Sequence, residues 1–172
     1  MSQRPVEKQE AVSAFYAERV VDTSYYSALW HTFNVGHLMA TDLERICRAH
    51  GLSFADVHLL AAVRVEGLGQ QRATDLAALL NVSNAVLSTR IGKLEKKGFL
   101  QRIPSANDRR AVALKLTAAG EAIGDTINSE ITERANFVRC FRRLSAEDQQ
   151  ALARIMGELH NELDREFIST RR

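Results

Sequence analysis

Apolar side chains return every three or four positions through most of this chain, and the period shortens to two only near its middle. Leu29, Phe33, Gly36, Ala40, Leu43 and Cys47 share one helical face, which predicts a long helix ending near His50. Asp22, Thr23 and Ser24 are each competent to cap it, and Gly51 stops it. Ser53 with Asp56 at the third helical position is close to a capping box. Val57, Leu60, Ala61 and Val65 then form the face of a second helix, broken by Gly67 and Gly69. A short helix holds Leu76, Leu79 and Leu80. After the turn Asn81-Val82-Ser83, another helix covers 83–97 with Leu87, Ile91 and Leu94 as its buried stripe, packed on that short helix. Two strand-like runs, 99–103 and 111–116, are joined by a polar turn from Pro104 to Arg110. Thr117 caps a second long helix striped by Ile123, Ile127, Ile131, Ala135 and Val138, on which Gly120 and Gly124 leave room for another backbone. Ser145, with Asp148 at the third position, opens a last helix striped by Leu152, Ile155, Leu159, Leu163 and Phe167.

These elements predict a mainly α fold with a small two- or three-stranded β-wing. A winged helix-turn-helix over 53–117 is flanked by long helices at 25–52 and 118–172, with 1–24 an arm or short helix, all in one chain-wide domain of 172 residues. The stripes at both ends exceed what the central unit needs for cover, so the flanking helices are expected to form the contact surface of a homodimer. Only two Pro and nine Gly leave little turn chemistry, which supports a mostly helical chain. No stretch approaches the roughly 18 apolar residues of a membrane span. The opening MSQRPVEKQE lacks the apolar core of a secretion signal, so the expected compartment is the cytoplasm. Cys47 and Cys140 are isolated, as suits a reducing environment.

Charge sharpens the picture. Between Ser83 and Gly120 stand eight Lys or Arg and two acids, a surplus of six, while the whole chain carries only +2. The other 134 residues are therefore net −4, and positive charge is gathered on one helix and its hairpin. A polyanionic partner accounts for that asymmetry.

With Leu87, Ile91 and Leu94 inward, the opposite face of the 83–97 helix carries Ala85, Ser88, Thr89, Gly92, Lys93 and Lys96. A helix entering the major groove reads bases with its first turns. Asn84, Ser88 and Thr89 offer donors and acceptors there, and Ala85 permits close approach. Ser83 is the expected cap, and Arg90, Lys93 and Lys97 lie at the edge, where phosphates run. The competing reading is a solvated face with capping hydroxyls. In the hairpin tip, Arg109 and Arg110 suit a narrow minor groove, and Asp108 suits an orienting pair with an Arg.

LAALLNVSNAVLSTRIGKLEKKGFLQR followed by NDRRAVALKLTAAG resembles the MarR family of bacterial transcription regulators, over roughly Ser53 to Gly120. The resemblance implies a triangular dimer with winged helices at two corners, bound to double-stranded DNA at a pseudo-palindromic operator. It implies dimer contacts from the terminal helices, an orienting pair and minor-groove finger at Asp108 and Arg110, and major-groove entry by residues of 83–93. It further implies a ligand-responsive repressor sensing a small phenolic or amphipathic effector, an oxidant or a metal. Trp30, His31, Phe33, His37 and Met39 on the first long helix and His58 on the next are the effector candidates, although aromatics at helical spacing are more often core. Cys47 lies on the apolar stripe as a small hydrophobe, whereas Cys140 beside Arg139 and Arg142 is the thiol that redox sensing would use. The histidines show no metal-ligand pairing, and no cofactor is expected. G-x-x-x-x-G-K-[ST], H-E-x-x-H and G-x-S-x-G are all missing, which disfavours an enzyme. The remaining competitor is a winged helix serving as a protein-interaction module, which has no use for the basic face.

Overall fold

Helical periodicity is realised as helices almost throughout. The computed structural model describes residues 11–12, 14–17, 24–65, 76–77, 79–104 and 112–170, with backbone alone at 104, 112 and 167–170. Two compact units divide the chain, Met1–Phe54 and Ala55–Arg172. Among the described residues no helix is long and apolar enough to cross a membrane.

In the first unit, α1 spans Tyr26–Ala49. Tyr25 rather than Ser24 takes its N-cap position, without a side-chain bond; Asp22 and Thr23 lie outside the described residues. At that end the rings of Tyr16 and Tyr26 approach to 5.5 Å. The other end closes as a Schellman motif: Leu52 N–H donates to the Cys47 carbonyl (3.2 Å) and Gly51 N–H to that of Arg48 (2.9 Å). Gly51 sits at φ 70°, a conformation that favours glycine. Ile46, Cys47 and Leu52 are buried, whereas Leu29, Phe33 and Leu38 of the same helix are exposed, Phe33 to 72%.

The second unit is built on α2 (Phe54–Val65), whose first amide, still within the first unit, donates to Glu44 Oε2 at 2.7 Å. Its buried residues are Asp56, Val57, Leu59, Leu60, Ala62 and Val63, while Ala61 and Val65 face out. The expected face was therefore placed correctly at Val57 and Leu60 and wrongly at the other two. The helical residues 76, 77 and 79 follow, with Leu76 and Ala77 buried but Leu79 54% exposed, so Leu79 does not join the packing expected of it. α3 (Asn84–Lys96) buries Leu87, Ile91 and Leu94. β1 (Leu100–Pro104) and β2 (Val112–Leu116) pair antiparallel, in register from Leu100↔Leu116 to Pro104↔Val112. Leu100 and its partner Leu116 share one face and are buried, whereas Gln101 and its partner Lys115 share the other and are exposed; Ala113 is buried and Arg102 exposed.

α4 (Ala118–Arg134) starts at Thr117, whose hydroxyl accepts Gly120 N–H at 3.0 Å. The long helix expected to continue through Val138 breaks at Ala135, which is extended (φ −64°, ψ 130°) and buried. A short α5 (Asn136–Phe141) follows, its Phe137 and Phe141 rings stacked at 5.9 Å. Ser145 then accepts Asp148 N–H (3.0 Å) and donates to Asp148 Oδ2 (2.7 Å), opening α6 (Ala146–Thr170). Its stripe is uncovered: Ile155, Leu159 and Leu163 are all exposed. The core proper centres on Leu59, Leu60, Leu87, Leu94 and Ile127.

Candidate nucleic-acid interface

The interface begins with a turn. Asn81 adopts φ 51°, which Asn tolerates better than most residues, and Val82 N–H returns to the Ala77 carbonyl at 3.0 Å. The preceding helical segment is thereby closed. Ser83, extended at φ −72° and ψ 153°, then caps α3 by accepting Val86 N–H at 3.3 Å. Its hydroxyl oxygen is engaged at the helix end.

With three large side chains inward, α3 shows Asn84, Ala85, Ser88 and Thr89 to solvent. Thr89 Oγ1 donates to the Ala85 carbonyl at 3.0 Å, so its hydroxyl proton is occupied, leaving a lone pair and a methyl group for an incoming surface. Gly92 has open space where a Cβ would stand, so the third turn presents a shallow floor. Lys96 and Lys97 are exposed at the C-terminal end and Arg90 is half-buried.

Two carboxylates shape the charge of this surface. Glu95 accepts Arg102 Nε through both oxygens at 3.1 Å, tying the root of the wing to α3. Asp56 reaches from α2: its side chain is 2% exposed, and its Oδ2 receives Lys93 Nζ at 2.5 Å. By position in the sequence, Lys93 is expected at the phosphate edge and Asp56 close to a capping box with Ser53. The clue to their pairing was Asp56 itself, a carboxylate beside Val57 in a face otherwise apolar, since such a group requires a cation.

The wing is anchored at its base. Lys97 ends α3, and a second Schellman motif forms as Phe99 N–H donates to the Leu94 carbonyl (3.0 Å) and Gly98 N–H to that of Glu95 (2.9 Å). Thr117 Oγ1 donates to the Gly98 carbonyl (2.6 Å) and Thr117 N–H to that of Phe99 (3.1 Å). A Cβ on Gly120 would fall inside the Phe99 carbonyl, so the close approach expected at this glycine occurs; at Gly124 nothing lies within 4 Å. Arg64 of α2 also bonds Asp125 of α4, and that hydrogen bond, then the carboxylate's charge, raises the guanidinium above its ordinary value. Asp108, Arg109 and Arg110 lie outside the described residues.

The model of the MarR family matches residues 55–112, from the start of α2 to the first residue of β2. Over that segment, about a third of its length, the chain is similar to the MarR family. Among its relatives is the HTH-type transcriptional regulator PecS of Dickeya dadantii, 26% identical over 130 residues, covering 75% of this chain and 77% of that protein. The HTH-type transcriptional regulator FarR of Neisseria gonorrhoeae is 33% identical over 85 residues, covering 49% of this chain and 57% of its own. A MarR protein from Peptoclostridium difficile shares the fold at TM-score 0.72 and 18% identity, over 88% of this chain and 96% of that one. An Escherichia coli MarR mutant solved with operator DNA superposes at TM-score 0.64 and 18% identity, over 80% and 99%. Among the described residues the chain is mostly helical with a small two-stranded antiparallel sheet, as its sequence pattern predicts.

The effector candidates are divided between the two units. Trp30, His31 and Met39 are half-buried on α1 and Phe33 and His37 exposed there, while His58 is exposed on α2. Phe33 does not enter a core within the chain. Cys47 is buried and Cys140 exposed. Among the described residues no three His, Cys, Asp or Glu side chains gather as a metal site requires.

Proposed function

We propose that this protein is a homodimeric, sequence-specific DNA-binding transcription regulator of the cytoplasm, a ligand-responsive repressor that acts by binding rather than catalysis. α3 enters the major groove of a pseudo-palindromic operator and the 104–110 tip enters the adjacent minor groove. The observation that carries this is the outward face of α3, where Asn84, Ala85, Ser88 and Thr89 stand exposed on a helix clamped by Leu87, Ile91 and Leu94. Asn84 and Ser88 bond base edges, while Ala85 and the Thr89 methyl suit a thymine methyl. Ser83 closes the helix end, Arg90 and Lys97 meet phosphates, Asp108 orients, and Arg109 and Arg110 reach into the minor groove. Support comes from fold neighbours solved with DNA, the E. coli MarR mutant on its operator and a Staphylococcus aureus MepR mutant on an oligodeoxyribonucleotide.

A second copy of this chain covers the exposed stripes of α1 and α6, which supports the dimer. For the effector, a Mycobacterium tuberculosis MarR family protein solved with salicylic acid supports a phenolic class. Trp30, His31, Phe33, His37 and His58 are its candidate contacts. Such a ligand lowers DNA affinity by its differential affinity for the form that cannot bridge two half-sites about 34 Å apart.

The test is the salt dependence of binding to duplex DNA. If each protomer neutralises about four phosphates, log K for the dimer falls with log salt at a slope of about −7. An affinity flat from low to moderate salt rejects nucleic acid as the partner and leaves a protein-interaction module.

A further inference from the structure

We infer that Lys93 serves the DNA-binding surface as a positioning residue: its ion pair with Asp56 fixes the rotation of α3 against α2, and with it the angle at which the outward face meets the bases. The inference rests on the proposed DNA-binding function and assigns one residue of that same surface.

Three observations combine. The Asp56 side chain is 2% exposed, and a carboxylate so far from water is stable only with a cation and hydrogen bonds around it. Its Oδ2 meets Lys93 Nζ at 2.5 Å, across 37 residues of sequence, so the contact ties two helices and is not a local helix pair. And Lys93 is 46% exposed, so its ammonium lies at the rim, between the packed side of α3 and the side carrying Ala85, Ser88 and Thr89.

Geometry gives the pair its leverage. Leu87, Ile91 and Leu94 form one line of apolar contact along α3, and apolar contact is not directional. A cylinder held along one line still rolls. Lys93 precedes Leu94 and so stands about 100° round the helix from it, which supplies a second line of attachment. Side-chain tips lie about 6 Å from a helix axis, so a roll of about 10° moves them by about 1 Å, enough to spoil a bidentate bond to a base edge. Phosphate contacts through long flexible lysines tolerate such a shift. A phosphate approaching Lys93 also meets a neutralised pair, whereas Lys96 is exposed on the same helix and is the cation a backbone contact would use.

The experiment uses the full chain with a duplex selected by the parent protein from a random pool, and an unrelated duplex of equal length. The central variant is Asp56→Asn, because it keeps the charge of Lys93 and leaves that ammonium free to reach water. The expected result is a loss on the order of tenfold in preference for the selected duplex, with affinity for the unrelated duplex no weaker than in the parent and a salt slope no flatter, since the freed ammonium is a cation that phosphates can meet. Lys93→Met gives the same loss without flattening the slope, Lys93→Arg retains the preference, and the double variant Asp56→Asn with Lys93→Met loses no more than either alone. Lys96→Met, in contrast, weakens both duplexes alike and flattens the slope by about two for the dimer.

The inference is overturned if Asp56→Asn folds and keeps the parental preference, or if Lys93→Met behaves as described for Lys96→Met. Should Lys93→Met fail to fold once the Asp56 carboxylate lacks its ammonium, Asp56→Asn still decides. A parent protein that selects no sequence and shows no salt dependence refutes the DNA-binding function itself, an outcome distinguishable from either result because it precedes every variant.

Discussion

Gly120→Ala and Gly124→Ala should have opposite effects, although both replace a glycine in α4 four residues apart. In an unobstructed helix interior, Ala is more favourable than Gly by about 0.8–1 kcal/mol, because it loses less backbone entropy on folding. Gly124 meets that condition, with nothing within 4 Å of a Cβ placed there. At Gly120 the Cβ would overlap the Phe99 carbonyl and crowd its backbone carbon. That carbonyl is not free to swing aside, since it accepts Thr117 N–H at 3.1 Å while Thr117 Oγ1 holds the Gly98 carbonyl at 2.6 Å. Forcing apart packed backbone costs about 1–3 kcal/mol, which outweighs the helical gain. The helical gain is common to both variants, so the expected difference between them is the cost of the clash, about 1–3 kcal/mol. Urea unfolding followed by circular dichroism at one fixed protein concentration measures it, with the midpoint rising for Gly124→Ala and falling for Gly120→Ala. A Gly120→Ala protein as stable as Gly124→Ala would refute the close approach of α4 to the base of the wing.

Three further outcomes follow from the same structure. Thr117→Val removes both the α4 cap and the bond to the Gly98 carbonyl, and should cost about 1–2 kcal/mol in the same unfolding assay. Leu159→Glu places a charge in the exposed stripe of α6; light scattering at micromolar concentration should show a dimer for the parent and a protomer mass for the variant, and a parent of protomer mass removes the dimer. Arg110→Ala should reduce operator affinity by about 1–3 kcal/mol and relax preference at flanking A·T steps, and an unchanged affinity by titration in low salt removes the minor-groove role.

Local chemistry explains most of what was legible in the sequence. Thr117, Ser145, Ser83 and Gly51 act at helix ends through atoms within a few residues of themselves, so their roles follow from type and position alone. The stripe of Leu87, Ile91 and Leu94 and the two runs that became β1 and β2 were equally visible, because period reports which side is covered. Where the expectations failed, the deciding contact was remote or the local signal absent. Ala135 breaks a helix with no Gly or Pro to announce it. Leu79 and Val65 look like core by spacing and are exposed, since periodicity states that a side is apolar without stating that anything covers it.

The sequence by itself determined the order of elements, the helix that faces outward, and the concentration of positive charge on it and its hairpin, since each depends on near neighbours in the chain. Only the tertiary structure decided that Lys93 belongs to Asp56 and Arg102 to Glu95, and that of two glycines on one helix only Gly120 meets another backbone. A charged side chain chooses its partner by distance and burial. Those are properties of the folded chain, and for Lys93 and Asp56 they join groups 37 residues apart.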